Sequence, residues 1–147
     1  MDSQKSKMAE SLKYKITDLQ THADQRGWLV EVLQASEVDE GQTIQQIYAA
    51  TIKPGHFRGG HYHEKRIEWF FVIGNNAEII LEDLKTKERK AITVSSDKPQ
   101  RITIYPGVAH AVKNKGKETV YLLSAQNNIF DPADTDTYEY RIASLSI

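Results

Sequence analysis

The sequence contains no cysteine. That excludes disulfides and thiolate metal centres together, so any metal on this chain must sit on nitrogen and oxygen. It has no apolar run of the roughly 18 residues that would span a bilayer. It has almost no net charge, because 19 Lys and Arg stand against 20 Asp and Glu. A balance like that argues against a broad basic surface, so neither nucleic acid nor membrane is expected as a partner. Helical periodicity is also missing, since no long window beyond Leu12 keeps apolar residues at helical spacing. The first residues, Met1–Leu12, are polar and lack the apolar core of a signal peptide. A mobile tail over residues 1–12 and a cytoplasmic location are the resulting expectations.

Residues 13–147 read as one domain of short strands. The runs Tyr14–Leu19, Gly27–Leu33, Thr43–Ile52, Arg58–His63, Glu68–Ile73, Ala77–Leu84, Lys90–Val94, Arg101–Tyr105, Ala109–Asn114, Thr119–Ala125 and Thr137–Ala143 are rich in β-branched and aromatic residues. Between them lie KPG, GNN, SSDKP, YPG and NKGK, all with turn chemistry. About ten short strands in one all-β domain imply a sandwich or barrel. Glu68–Ile73 (EWFFVI) is apolar on both faces, so both faces need cover. A folded-over segment would supply it, and so would a second subunit; a homodimer is the expectation.

Three of the five histidines fall in two tight clusters. His61 and His63 are two apart on one strand, which sends both imidazoles to one face. Residues 64–67 can turn the chain, so that Glu68 returns on a neighbouring strand. Pro106 and Gly107 suit a turn that delivers His110, on a strand of the facing sheet, to complete three nitrogens and one carboxylate oxygen. That set suits one divalent transition metal, zinc first, with iron, manganese, nickel or copper as alternatives. Magnesium and calcium prefer oxygen ligands. His56 and His22 receive no role.

These residues resemble the two cupin motifs. Gly55, His61, His63 and Glu68 fit G-x5-H-x-H-x3/4-E-x6-G, with Gly74 one residue early. Gly107, His110 and Asn114 fit G-x5-P-x-G-x2-H-x3-N, with Pro106 too close and the leading glycine absent. More narrowly, RGGHYH (Arg58–His63), YPGVAH (Tyr105–His110) and FDP followed by DTY (Phe130–Pro132, Asp136–Tyr138) are similar to cupins acting on nucleotide-linked deoxysugars. Among these are the C-terminal cupin domain of bifunctional capsular-polysaccharide enzymes and the dTDP-4-keto-sugar epimerases and ketoisomerases.

The resemblance implies a double-stranded β-helix, or jelly-roll barrel, acting on a nucleotide-linked 4-keto sugar in surface-polysaccharide or deoxysugar synthesis. It implies Arg58 on the diphosphate or sugar and Tyr121 as a catalytic acid. The alternatives are a solvated rim arginine and an ordinary packed tyrosine. His61 is a metal ligand on this reading and the catalytic base on a metal-free one. A non-catalytic sugar-binding cupin, or another metal-dependent cupin enzyme such as a dioxygenase, remains open.

Overall fold

Runs of alternating or doubly apolar residues become strands almost everywhere that the sequence expects them. The computed structural model describes residues 13–142, and the expected tail over residues 1–12 lies outside them. In chain order the strands are β1 (Tyr14–Asp18), β2 (Thr21–Asp24), β3 (Gly27–Val30), β4 (Gln46–Ile52), β5 (Phe57–Tyr62), β6 (Glu68–Ile73), β7 (Ala77–Asp83), β8 (Arg89–Val94), β9 (Gln100–Ile104), β10 (Val108–Asn114), β11 (Val120–Gln126) and β12 (Tyr138–Glu139). One short 3-10 turn, Ala35–Glu37, is the only helical element among the described residues. The expected last strand, Thr137–Ala143, shrinks to two residues, and its end at Ala143 lies outside the described residues.

All pairings are antiparallel. One sheet runs β1-β9-β6-β11-β4, the other β12-β5-β10-β7-β8, and β2-β3 form a separate hairpin. Phe70, Val72, Ile102, Ile104, Val120 and Leu122 of the first sheet share one buried cluster with Ile79, Leu81, Ile92, Val108 and Val112 of the second. Each such side chain contributes about 1.5–3 kcal/mol when taken out of water. That shared cluster holds the two sheets face to face, as the jelly-roll expectation requires.

Both outer faces have cover from the chain itself. Arg101, buried on the outer side of β9, donates to the Val32 carbonyl at 2.9 Å and to Glu37 at 3.3 Å. The hydroxyl of Tyr105 donates to Asp39 at 2.6 Å. The segment after β3 is thereby tied over the first sheet. On the second sheet, Ile80, Ala109 and Ala111 pack against Ile142 and Tyr140 of the C-terminal segment.

One expected neighbourhood is reversed. The sequence reading sets Glu68 on a strand beside that of His61 and His63, with His110 across from them. Instead β10 is the neighbour of β5, and β6 lies in the facing sheet. The reason lies in contacts with distant segments of the chain. The backbone N–H groups of Glu64, Lys65 and Arg66 all donate to the Asp136 carboxylate, and that of Ile67 donates to Asn127 Oδ1. Those donors are spent on side chains rather than on a hairpin, and the chain crosses from one sheet to the other between β5 and β6.

Candidate metal centre

His61 and His110 are direct cross-strand partners, and the register between β5 and β10 shifts just beyond them. The irregularity rests on Gly59 (φ 99°), where a Cβ would lie 2.6 Å from the His110 carbonyl oxygen. Only glycine lets the two strands approach there. His63 follows β5, and its carbonyl accepts from the Gly107 N–H at 2.9 Å. Glu68 opens β6 on the facing sheet. The four side chains bring one potential ligand atom each to within 4.8 Å of one another. His63, Glu68 and His110 are buried, and His61 is part-exposed.

The hydrogen bonds fix which imidazole nitrogens face inward. His63 Nδ1 lies 2.6 Å from the Asp136 carbonyl oxygen, and His110 Nδ1 lies 3.0 Å from that of Val108. A carbonyl only accepts, so each Nδ1 carries its hydrogen, and each ring in its neutral form presents a bare Nε2. Both Nε2 atoms are buried without a hydrogen-bond partner. His63 Nε2 nevertheless lies 2.5 Å from Glu68 Oε1, and His110 Nε2 lies 3.8 Å from the same oxygen. With the rings neutral those lone pairs face the carboxylate, an arrangement that a cation, or a proton on His63 Nε2, would satisfy. Three nitrogens and one carboxylate oxygen fit a borderline divalent ion.

The local field agrees. Burial raises the Glu68 pKa, but a hydrogen bond from His63 when that ring is protonated, with the charges of His110, His63 and Arg66, outweighs it and holds the group at about 2, an anion. Burial, then the neighbouring His110 and His63, push His61 down to about 4. Burial also lowers His110. An ionised Glu68 beside neutral His61 and His110 is the set of protonation states that a metal needs.

Four further residues complete the site. The Tyr48 hydroxyl donates to Glu68 Oε2 at 3.4 Å and the Ser124 hydroxyl to the same oxygen at 3.2 Å. Burial and the Glu68 charge raise Tyr48 to about 12, so it keeps its proton. The Arg66 guanidinium is buried 3.9 Å from Glu68 Oε1. Asp136 supplies the carbonyl behind His63. Asn114, the last residue of the second motif, is structural: its amide donates to the carbonyls of Ile52 and Glu118.

Of the other expected site residues, Arg58 lies on β5 and is exposed, with Nε donating to the Thr51 carbonyl on β4 at 2.9 Å. Its two terminal nitrogens are left over. Tyr121 lies on β11. Its neighbours Val120 and Leu122 point into the core, so alternation turns Tyr121 outward, where it is 52% exposed. It is not brought to the four-residue cluster. An open cavity of about 710 Å³ lies beside β5, lined by Phe57, Gly60, His61, Thr137 and Tyr140; His63, Glu68 and His110 do not line it.

Residues 22–138 match the family described as the polysaccharide biosynthesis C-terminal domain. The chain is 32% identical over 121 residues to the UDP-2-acetamido-2,6-beta-L-arabino-hexul-4-ose reductase of Pseudomonas aeruginosa, covering 82% of this chain but only 31% of that protein. It is 31% identical to a probable low-salt glycan biosynthesis epimerase of Haloferax volcanii, covering 82% of this chain and 81% of the other. A dTDP sugar isomerase from Desulfovibrio desulfuricans shares the fold at a TM-score of 0.78 and 14% identity, over 90% of this chain and 87% of that one. Among the described residues no helix is long and apolar enough to cross a membrane.

Proposed function

Because the chain belongs to the polysaccharide biosynthesis C-terminal domain family, we propose that it is a metal-dependent epimerase or ketoisomerase acting on a nucleotide-linked 4-keto sugar. The chain spans under a third of the Pseudomonas reductase, so the reading takes no reduction step from that relative. The observation that carries it is the pair of bare, buried Nε2 atoms aimed at the Glu68 carboxylate. His61, His63, Glu68 and His110 would hold one divalent ion, zinc first. When bound, such an ion supplies Lewis acidity toward a ketone oxygen.

The remaining roles belong to side chains. Moving a proton beside a ketone requires stabilising the enolate charge that develops on oxygen. Tyr48 keeps its proton, donates a hydrogen bond to Glu68 at 3.4 Å in this structure, and on this reading turns that hydrogen to the developing oxyanion when substrate is bound. Arg58, anchored through Nε, offers its two terminal nitrogens to a diphosphate. With His61 engaged as a ligand, its lone pair is not the base. A homodimer is part of the same proposal. The hairpin β2-β3 leaves Trp28 50% and Leu29 58% exposed, apolar side chains that a second copy would cover.

The test is solvent exchange. The purified protein is incubated in heavy water with a panel of nucleotide-linked 4-keto sugars. Deuterium should enter at the carbon beside the ketone, and chelation or His110→Ala should abolish it. Absence of exchange with every sugar, in a protein shown to be metal-loaded, would overturn the enzymatic reading. Exchange that survives chelation would overturn the metal.

A further inference from the structure

The segment between β11 and the C-terminus is tied to the site at more points than a passive connection needs. Asp136 adopts a left-handed conformation (φ 47°) that few non-glycine residues take. Its carboxylate accepts three consecutive N–H groups, from Glu64 at 2.9 Å, Lys65 at 3.0 Å and Arg66 at 2.9 Å. Its carbonyl lies 2.6 Å from His63 Nδ1, much nearer than the 3.5 Å at which the Arg66 Nη1 donor faces the same nitrogen. The preceding carbonyl, of Thr135, accepts from Arg66 Nη2 at 2.8 Å. One residue therefore holds both ends of the stretch that leaves His63: the ring through its main chain, the following turn through its side chain.

We propose that Asp136 is a positioning residue that fixes the tautomer and direction of the His63 ring. The left-handed backbone turns its carbonyl to the ring while its carboxylate faces the turn, and the three N–H bonds keep the residue in that pose. His63 is then held with Nδ1 protonated and Nε2 bare, ready to donate a lone pair. Without the carboxylate, the carbonyl loses its anchorage to residues 64–66 and the ring is free to exchange tautomers. The role of the bare nitrogen as a metal ligand rests on the reading given above, but its fixing does not.

The experiment uses the full chain labelled with 15N-histidine, first without metal. Two-bond 1H–15N spectra should show wild-type His63 in the Nδ1–H form. Asp136→Gly permits the left-handed backbone without strain and removes the carboxylate. It should give mixed tautomers at His63 and unchanged spectra at His22 and His56. Zinc affinity, measured by competition with a chromogenic chelator, should fall about 10–100-fold, the usual cost of losing a group that orients a ligand. Asp136→Asn, which tolerates the same φ and keeps a neutral acceptor, should recover most of both signals. A wild-type tautomer in Asp136→Gly overturns the proposal, whatever zinc does. If Asp136→Gly does not fold, Asp136→Asn decides: a partial tautomer shift supports the proposal and none overturns it. A wild-type protein that binds no zinc, with the tautomer change still present in the variant, sinks the metal reading and leaves the positioning role standing.

Discussion

The rings of His61 and His110 stand perpendicular, with centroids 4.8 Å apart, across neighbouring antiparallel strands. That edge-to-face contact is made possible by a backbone irregularity and not by the side chains. Gly59 and Gly60 both have positive φ, and the strand shifts register there while both imidazoles stay on the inner face.

Replacing Gly59 tests this directly. A Cβ at Gly59 meets the His110 carbonyl oxygen at 2.6 Å and Ala111 Cα at 2.8 Å, and neither is a flexible tip. Gly59→Ala should destabilise the fold by about 1–3 kcal/mol or more. It should also push β10 away from β5 and weaken zinc binding. Urea unfolding and chelator competition read the two effects; a wild-type midpoint would remove the claim that the close approach is needed.

Two tyrosines compete for a role in the chemistry. Tyr48 reaches Glu68, whereas Tyr121 faces outward. Tyr48→Phe should lower turnover, or the exchange rate in heavy water, by about 10²–10³-fold, as loss of one donor to a developing oxyanion does. Its zinc affinity should fall less than that of Asp136→Gly, because Ser124 still donates to the same Glu68 oxygen. Tyr121→Phe should leave turnover unchanged. The opposite ranking would reinstate the residue that the sequence suggested.

Stability of the metal-free protein should depend on pH through His61. The unfolded chain protonates this ring near 6.5, whereas the folded one resists until about 4. Between those values the unfolded state binds more protons, so stability falls as pH drops from about 6.5 to about 4. The urea midpoint at pH 5 should lie below that at pH 7, and His61→Gln should flatten the difference. An equal or higher midpoint at pH 5 in the wild type would contradict the neutral ring.

Self-association should depend on the β2-β3 hairpin. Trp28→Ser combined with Leu29→Ser should shift sedimentation from dimer to monomer while the far-ultraviolet circular dichroism stays unchanged. A wild-type chain that sediments as a monomer would end the homodimer proposal.

The sequence made some of this visible because the signals are local. His61 and His63 share a face through the two-residue period of a strand, and Pro106-Gly107 marks the turn before His110. Which strand lies beside which is decided by contacts between distant segments. The spacing from His63 to Glu68 therefore suits a hairpin as well as a crossover, and the hairpin reading reversed the two sheets. The strand Thr21–Asp24 (THAD) was missed because it is polar and wholly exposed, with no alternation to betray it. Tyr48 hides within a run where every second residue points inward. Asp136 belongs to a phrase that carried the family resemblance, but its capping of residues 64–66 depends on where the chain returns in space.

Three of the four convergent side chains hang from one leaf of the sandwich, or from its immediate extension, and the fourth from the opposite leaf. An ion seated among them would act as a rivet through the domain. Any breathing that parts the leaves would stretch the Glu68 bond first. Chelation would then loosen the architecture as well as silence the chemistry, and a melting curve would register the loss without any substrate present.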